Sequence, residues 1–216
     1  MRNDKLVRIH RIYNLIKALP VFTIQDLSSI EQNKTYLKIL LGRYVKTGKL
    51  IRLKRGLYTT RAYVDGMEKT QRLEAYKMIL ANLLYEPSYV SLEYMLFEYN
   101  LLTELPVQFT SISLRKTKRL QNVFGQFVYH SIKDELFYGF TKKMIGGFSV
   151  WQATKAKALF DFIYLRQHVL FAKGAITALR INTDLLTQQD KKEFVSFIKH
   201  SNSQRLHSIS THLIKI

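Results

Sequence analysis

The side chains best suited to chemistry are cations. Lys34, Lys38, Arg43 and Lys46 recur at three- to five-residue intervals, which gathers them on the side of a helix opposite Leu37, Leu40, Leu41, Tyr44 and Val45. Asn33, Lys34, Thr35 and Lys38 stand at the leading end of that segment. Asn and Lys hydrogen-bond purine edges, so this end should reach DNA bases, with Tyr36 either stacking there or joining the core. Lys54 and Arg55 precede Gly56 at the tip of a short hairpin and should meet phosphate or the minor groove. Enzymatic options are fewer. His10, His130, His168, His200, His207 and His212 show no metal-ligand spacing, and the serines and glycines form neither a nucleophile elbow nor a phosphate loop. Asp134, Glu135 and Asp161 are the carboxylates that could serve a metal-dependent nuclease. Lys157 and Asp161 lie four apart, and the plainer expectation is that they pair on a helix surface.

Composition points the same way. The 216 residues include 34 Lys and Arg against 16 Asp and Glu, a formal net charge of +18 that favours polyanionic partners, nucleic acid first. Residues 1–64 hold 14 basic and 3 acidic side chains, net +11, whereas the remaining 152 hold 20 and 13, net +7. The absence of cysteine excludes disulfides and thiolate metal sites and fits a cytoplasmic location. No run is apolar and long enough for a membrane span, and the first residues lack a signal peptide's apolar stretch.

The basic residues need a scaffold, and the first sixty positions supply one. Leu6, Ile9, Ile12, Tyr13, Ile16 and Leu19 predict a helix over Asp4–Leu19 that Pro20 stops. Thr23 should cap a short second helix ending near Ser29. The third helix spans Asn33–Thr47, with Gly48 as its stop, and strands 50–53 and 57–60 flank Lys54-Arg55-Gly56. Helix, short helix, basic helix and basic hairpin make a winged helix-turn-helix over residues 1–64, whose third helix would lie in the major groove.

Residues 65–70 break the pattern and should separate that domain from a second over 67–216. Helical spacing covers 71–84, and a strand then leads into a helix capped by Ser91. Alternation in VQFTSISL, GQFVYHSI, FYGFT and GGFSVW predicts a mainly antiparallel sheet. Helices return over 153–166 and from 182 to the end. The expected class is α+β, a winged helix-turn-helix followed by a mixed α/β domain.

The chain resembles the AbiEi-type antitoxins of type IV, abortive-infection toxin-antitoxin systems. The matching stretches are RGLYTT, PSYVSLEYML, NVFGQFVYHSI with FYGF, and ATKAKALFDFIYL from Ala153, which together span most of the chain in family order. Where the family commonly has Pro-Glu-Lys-Ala-Leu, this chain has Lys155-Ala156-Lys157-Ala158-Leu159, so Lys157 and Asp161 match and Ala156 replaces the glutamate. The resemblance implies a bacterial autorepressor that binds an inverted repeat in its own promoter, as a dimer on DNA. It also implies that the second domain opposes a co-encoded nucleotidyltransferase-like toxin, with which it need not form a stable complex, and makes Lys155, Lys157 and Asp161 candidates for that role. No cofactor or metal is expected. A stand-alone transcription factor with a ligand-sensing second domain, and a DNA nuclease, are the alternatives.

Overall fold

The computed structural model describes residues 10–170 and 178–214. The chain divides into two compact units, one formed by residues 1–77 with Asn122–Phe124, the other by Met78–Gln121 and residues 125–216.

In the first unit, residues 10–16 are helical (α1) and bury Ile12 and Ile16 completely, whereas Asp4–Ile9 of the expected first helix lie outside the described residues. The expected second helix is reduced to a 3-10 turn, Gln25–Leu27, behind a two-residue strand β1, Phe22–Thr23. The reason is local: the Asp26 carboxylate accepts both the backbone N–H and the hydroxyl of Thr23, at 2.6 and 2.9 Å, so Thr23 donates its hydroxyl instead of capping with it. α2, Lys34–Lys46, follows the sequence reading closely, with Gly48 just beyond it at φ +72. β2, Leu50–Lys54, and β3, Leu57–Thr60, form an antiparallel hairpin, and β1 pairs with β3 to give the order β1-β3-β2.

Ile12, Ile16, Phe22, Leu27, Leu37, Leu40, Leu41 and Leu50 make one buried cluster, each side chain contributing about 1.5–3 kcal/mol by leaving water. Tyr36 packs half-buried against it. Residues 65–70, read as a break, belong to the end of α3, Arg61–Lys69, and its cap; Thr60 starts the helix by accepting the Tyr63 N–H. This unit also contains the start of α4, Leu73–Leu84, where the buried Tyr76 donates its hydroxyl to Pro20 O.

The second unit is built on a six-stranded sheet. Its strands are β4, Ser88–Val90; β5, Gln108–Ser113; β6, Lys118–Asn122; β7, Gly125–Ser131; β8, Phe140–Ile145; and β9, Phe148–Ala153. Their order is β6-β7-β5-β4-β9-β8. The sheet is mixed, because β5–β7 and β4–β9 run parallel while β4–β5 and β8–β9 run antiparallel. α5, Leu92–Glu98, and α6, Lys155–Leu170, pack together, and α6 also meets α7, Gln188–His200, and α8, Gln204–Leu213. Residues 156–163 of α6 are buried without a break, so α6 is a central helix rather than an amphipathic surface one. The α+β class holds, and among the described residues no helix is long and apolar enough to cross a membrane.

Candidate nucleic-acid interface

α2 begins where Asn33 ends the preceding loop. The Asn33 Oδ1 accepts the Tyr36 N–H at 2.9 Å, which satisfies one of the donors that a helix start leaves free, and the Asn33 N–H donates to Glu31 Oε1 at 2.9 Å. The oxygen of Asn33 is therefore engaged in folding, and its amide N–H groups are what it has to offer a base. Leu37, Leu40 and Leu41 turn inward, and the 3.6-residue period then fixes the other side. Lys34, Thr35, Lys38, Arg43 and Lys46 are all exposed. Lys34, Lys38, Gly42 and Lys46 form one row at four-residue spacing, and Thr35, Ile39 and Arg43 form the next.

No Asp or Glu occurs within α2. Arg43 and Lys46 sit in the last turn, where the helix dipole favours them. Lys34 is different. It opens the helix, where the dipole is positive and a cation costs stability of about 0.3–1 kcal/mol. At the hairpin tip Arg55 is exposed and Lys54 half-buried, with Gly56 at φ +82 closing the turn.

The other three candidates lie in the second unit and do not form the expected surface. Lys157 and Asp161 do pair, at 2.9 Å between Nζ and Oδ1, but both side chains are fully buried. Lys157 Nζ also donates to Leu136 O at 2.7 Å and lies 4.7 to 5.6 Å from the ring centres of Phe160, Phe197 and Tyr138. Gly139, at φ +79, makes room for the stem: a Cβ there would run into the Phe197 ring and come 3.2 Å from Lys157 Cδ. Asp161 Oδ2 accepts the hydroxyls of Ser91 at 2.7 Å and Tyr89 at 3.0 Å. Burial pushes the Asp161 carboxyl above its usual range, against the pull of Lys157 and of its hydrogen bonds, and burial beside Asp161 pushes the Tyr89 hydroxyl up as well. Ser91, expected to cap α5 with its side chain, spends it on Asp161 instead.

The expected basic helix face is thereby corrected. Lys157 is closed off from any partner, and only Lys155, half-buried and donating to Leu185 O at 3.0 Å, remains near the surface. Asp161 is likewise enclosed by Lys157, Ser91 and Tyr89, while Asp134 and Glu135 stand exposed on a 3-10 turn. Among the described residues, no three His, Asp or Glu side chains come together as a metal site.

A cleft of about 320 Å³ in the second unit is lined by Asn82, Glu86, Pro87, Ser88, Phe137, Phe140 and Trp151. Its buried polar side chains are spent within the fold, the Ser88 hydroxyl on Ala81 O and Asn82 O, each at 3.5 Å. The Asn82 amide donates to Trp151 O and accepts the Trp151 N–H, at 3.1 and 2.8 Å, so it holds the strand rather than a ligand.

No protein-family model matches the chain, and no curated protein matches it. Sequence reasoning missed Ser91 and Tyr89 as partners of Asp161, and Ile39 and Gly42 in the middle of the exposed α2 face. The fully apolar flanks of Lys157 and Asp161, AKALFDFIYL, were the one signal that this pair would be interior.

Proposed function

We propose that this protein binds double-stranded DNA through α2 and the β2–β3 hairpin, in the manner of a winged helix-turn-helix, and represses its own promoter. One observation carries the reading: α2 exposes Lys34, Lys38, Arg43 and Lys46 on a face that its sequence leaves without a single carboxylate. A phosphate at the start of α2 would meet Lys34, Lys38 and the positive end of the helix together, and would relieve the cost of placing Lys34 there. The element order supports the same reading. By its resemblance to AbiEi-type antitoxins, the second unit neutralises a co-encoded nucleotidyltransferase-like toxin, with Lys155 as the sequence-derived candidate still near the surface.

The full chain is the right material for the test, since the first unit runs past residue 64 to take in the end of α3, the start of α4 with Tyr76, and Asn122–Phe124. Titrated onto duplex DNA from upstream of its own gene, it should lose affinity with a log–log salt slope of about −0.9 per phosphate neutralised, hence about −3 to −4 for four contacts. Lys34→Glu with Lys38→Glu should abolish binding, leave folding intact and still rescue cells that express the toxin. Footprinting should show two half-sites related by a two-fold axis. Binding that ignores salt and survives the double reversal would overturn the DNA reading, and loss of rescue in that folded variant would overturn the division of roles.

A further inference from the structure

Two residues in the middle of the α2 face are unexplained by folding. Ile39 is 51% exposed among Thr35, Lys38 and Arg43, although the buried cluster beside it takes up Leu37, Leu40 and Leu41. Gly42 lies three positions on, and so next to Ile39 on the helix surface. A glycine within a helix costs about 1 kcal/mol relative to alanine, because it loses more backbone freedom on folding. Nothing repays that here, since a Cβ at Gly42 would meet no atom within 4 Å beyond its chain neighbours and the backbone of its own helix. Its backbone is ordinary helix, so conformation does not demand glycine either.

An apolar projection beside a notch, ringed by cations, is a shape for reading an apolar group inside a polyanion. Among the groups a base pair displays in the major groove, that description fits the 5-methyl of thymine. We infer that Ile39 and Gly42 form a specificity element that receives a thymine methyl group, Ile39 contacting the methyl and the absent side chain at Gly42 letting the helix approach the base edge. This rests on the DNA reading proposed above. Lys34, Lys38, Arg43 and Lys46 supply affinity that any sequence would share, whereas this pair supplies discrimination.

The test uses the full chain and a duplex that the chain itself selects from a random-sequence pool, synthesised with thymine and again with deoxyuridine, which lacks only the methyl. Replacement at one contacted position should weaken binding about fourfold, the worth of one buried methyl group. Ile39→Ala should lose a similar factor on the thymine duplex and lose no more on the deoxyuridine duplex. Gly42→Ala should raise the thermal midpoint by about 2–4 °C, as expected for about 1 kcal/mol in a chain of this size, yet bind the selected duplex at least about tenfold more weakly. A merely structural glycine would not separate those two readouts. Salt-dependent binding that is equal on both duplexes, or a Gly42→Ala protein that is stabilised and binds as tightly as the parent, overturns this inference and leaves the DNA reading standing. Failure to bind any duplex overturns both.

Discussion

Lys34 and Lys38 on α2, and Lys157 and Asp161 on α6, are pairs of charged residues at the same four-residue separation, and the fold treats them in opposite ways. On α2 both members are cations, both exposed, and neither faces an acid in its own helix. On α6 the pair is of opposite sign, fully buried, and every charged oxygen or nitrogen has a partner. The difference lies in the flanking residues. α2 alternates its charges with a narrow apolar stripe, whereas α6 surrounds Lys157 and Asp161 with Ala156, Ala158, Leu159, Phe160, Phe162 and Ile163, so the turns that carry the pair offer no polar side to water. Charge on α2 is available for recognition. Charge on α6 is committed to holding the second unit together.

The contrast between α2 and α6 is sharpest at Lys157. Lys157→Ala leaves Asp161 buried without its counter-ion and should destabilise the chain by about 3–5 kcal/mol in urea unfolding, whereas Lys157→Met with Asp161→Asn, which keeps an acceptor for Ser91 and Tyr89, should recover most of that loss. A cost below about 1 kcal/mol for the single change would mean that the pair is not structural. Next in size is the start of α2. Asn33→Ala removes the acceptor for the Tyr36 N–H and should cost about 1 kcal/mol, while Asn33→Ser retains a cap and should restore the thermal midpoint. Restored stability with weakened DNA binding would show that the Asn33 amide also touches a base.

Smaller still is Lys34. Its reversal, Lys34→Glu, puts an acid at the positive end of the helix and should stabilise the fold by about 0.3–1 kcal/mol even as DNA binding falls. A destabilised Lys34→Glu protein would give Lys34 a structural role.

The smallest effect concerns His130 on β7. Burial lowers its imidazole below the ordinary range; the nearby Glu93 opposes that shift, and Arg166 and Arg119 add to it. A folded-state value below the unfolded one means that the unfolded chain takes up the proton first. The contribution is therefore present above about pH 6.5 and lost as pH falls through the lowered value. Urea midpoints should drop between pH 7.5 and 5.5, and His130→Gln should flatten that slope; an unchanged slope would assign the acid sensitivity elsewhere.

Local chemistry made much of the first unit legible. Gly48 and Gly56 take positive φ where the sequence places a helix stop and a turn, whereas Asn33, read as the first residue of the helix, is its cap. The short second helix was not legible because its outcome turns on Asp26, which bonds Thr23 at both N–H and hydroxyl and leaves room for one 3-10 turn. β6 escaped notice for a different reason. Lys118, Arg119 and Gln121 are exposed, and of the two half-buried residues, Leu120 and Asn122, only Leu120 is apolar, so this edge strand leaves no apolar alternation to read. The stretch FYGFT was misplaced because its first three residues belong to the approach to β8, with Phe140 stacked on Tyr89 and Phe137 tilted against it. The burial of Lys157 depends on Leu136 and Phe197, 21 and 40 residues away, which no local pattern brings together.

The second unit's sheet ends in β6 on one side and β8 on the other, and both rims carry exposed cations, Lys118 and Arg119 on the first, Lys142 and Lys143 on the second. A sheet rim offers free backbone hydrogen-bonding groups to any passing strand, and like charge on both rims makes a second copy of the same sheet a poor match for either. That protection is ionic in origin, so it weakens as salt shortens the reach of charge from about 10 Å at 0.1 M to about 3 Å at 1 M. Concentrated salt, which would release DNA bound as proposed above, also lowers the barrier between one sheet rim and the next. Preparations of this protein are thus best freed of nucleic acid while dilute, and concentrated only after the salt is lowered.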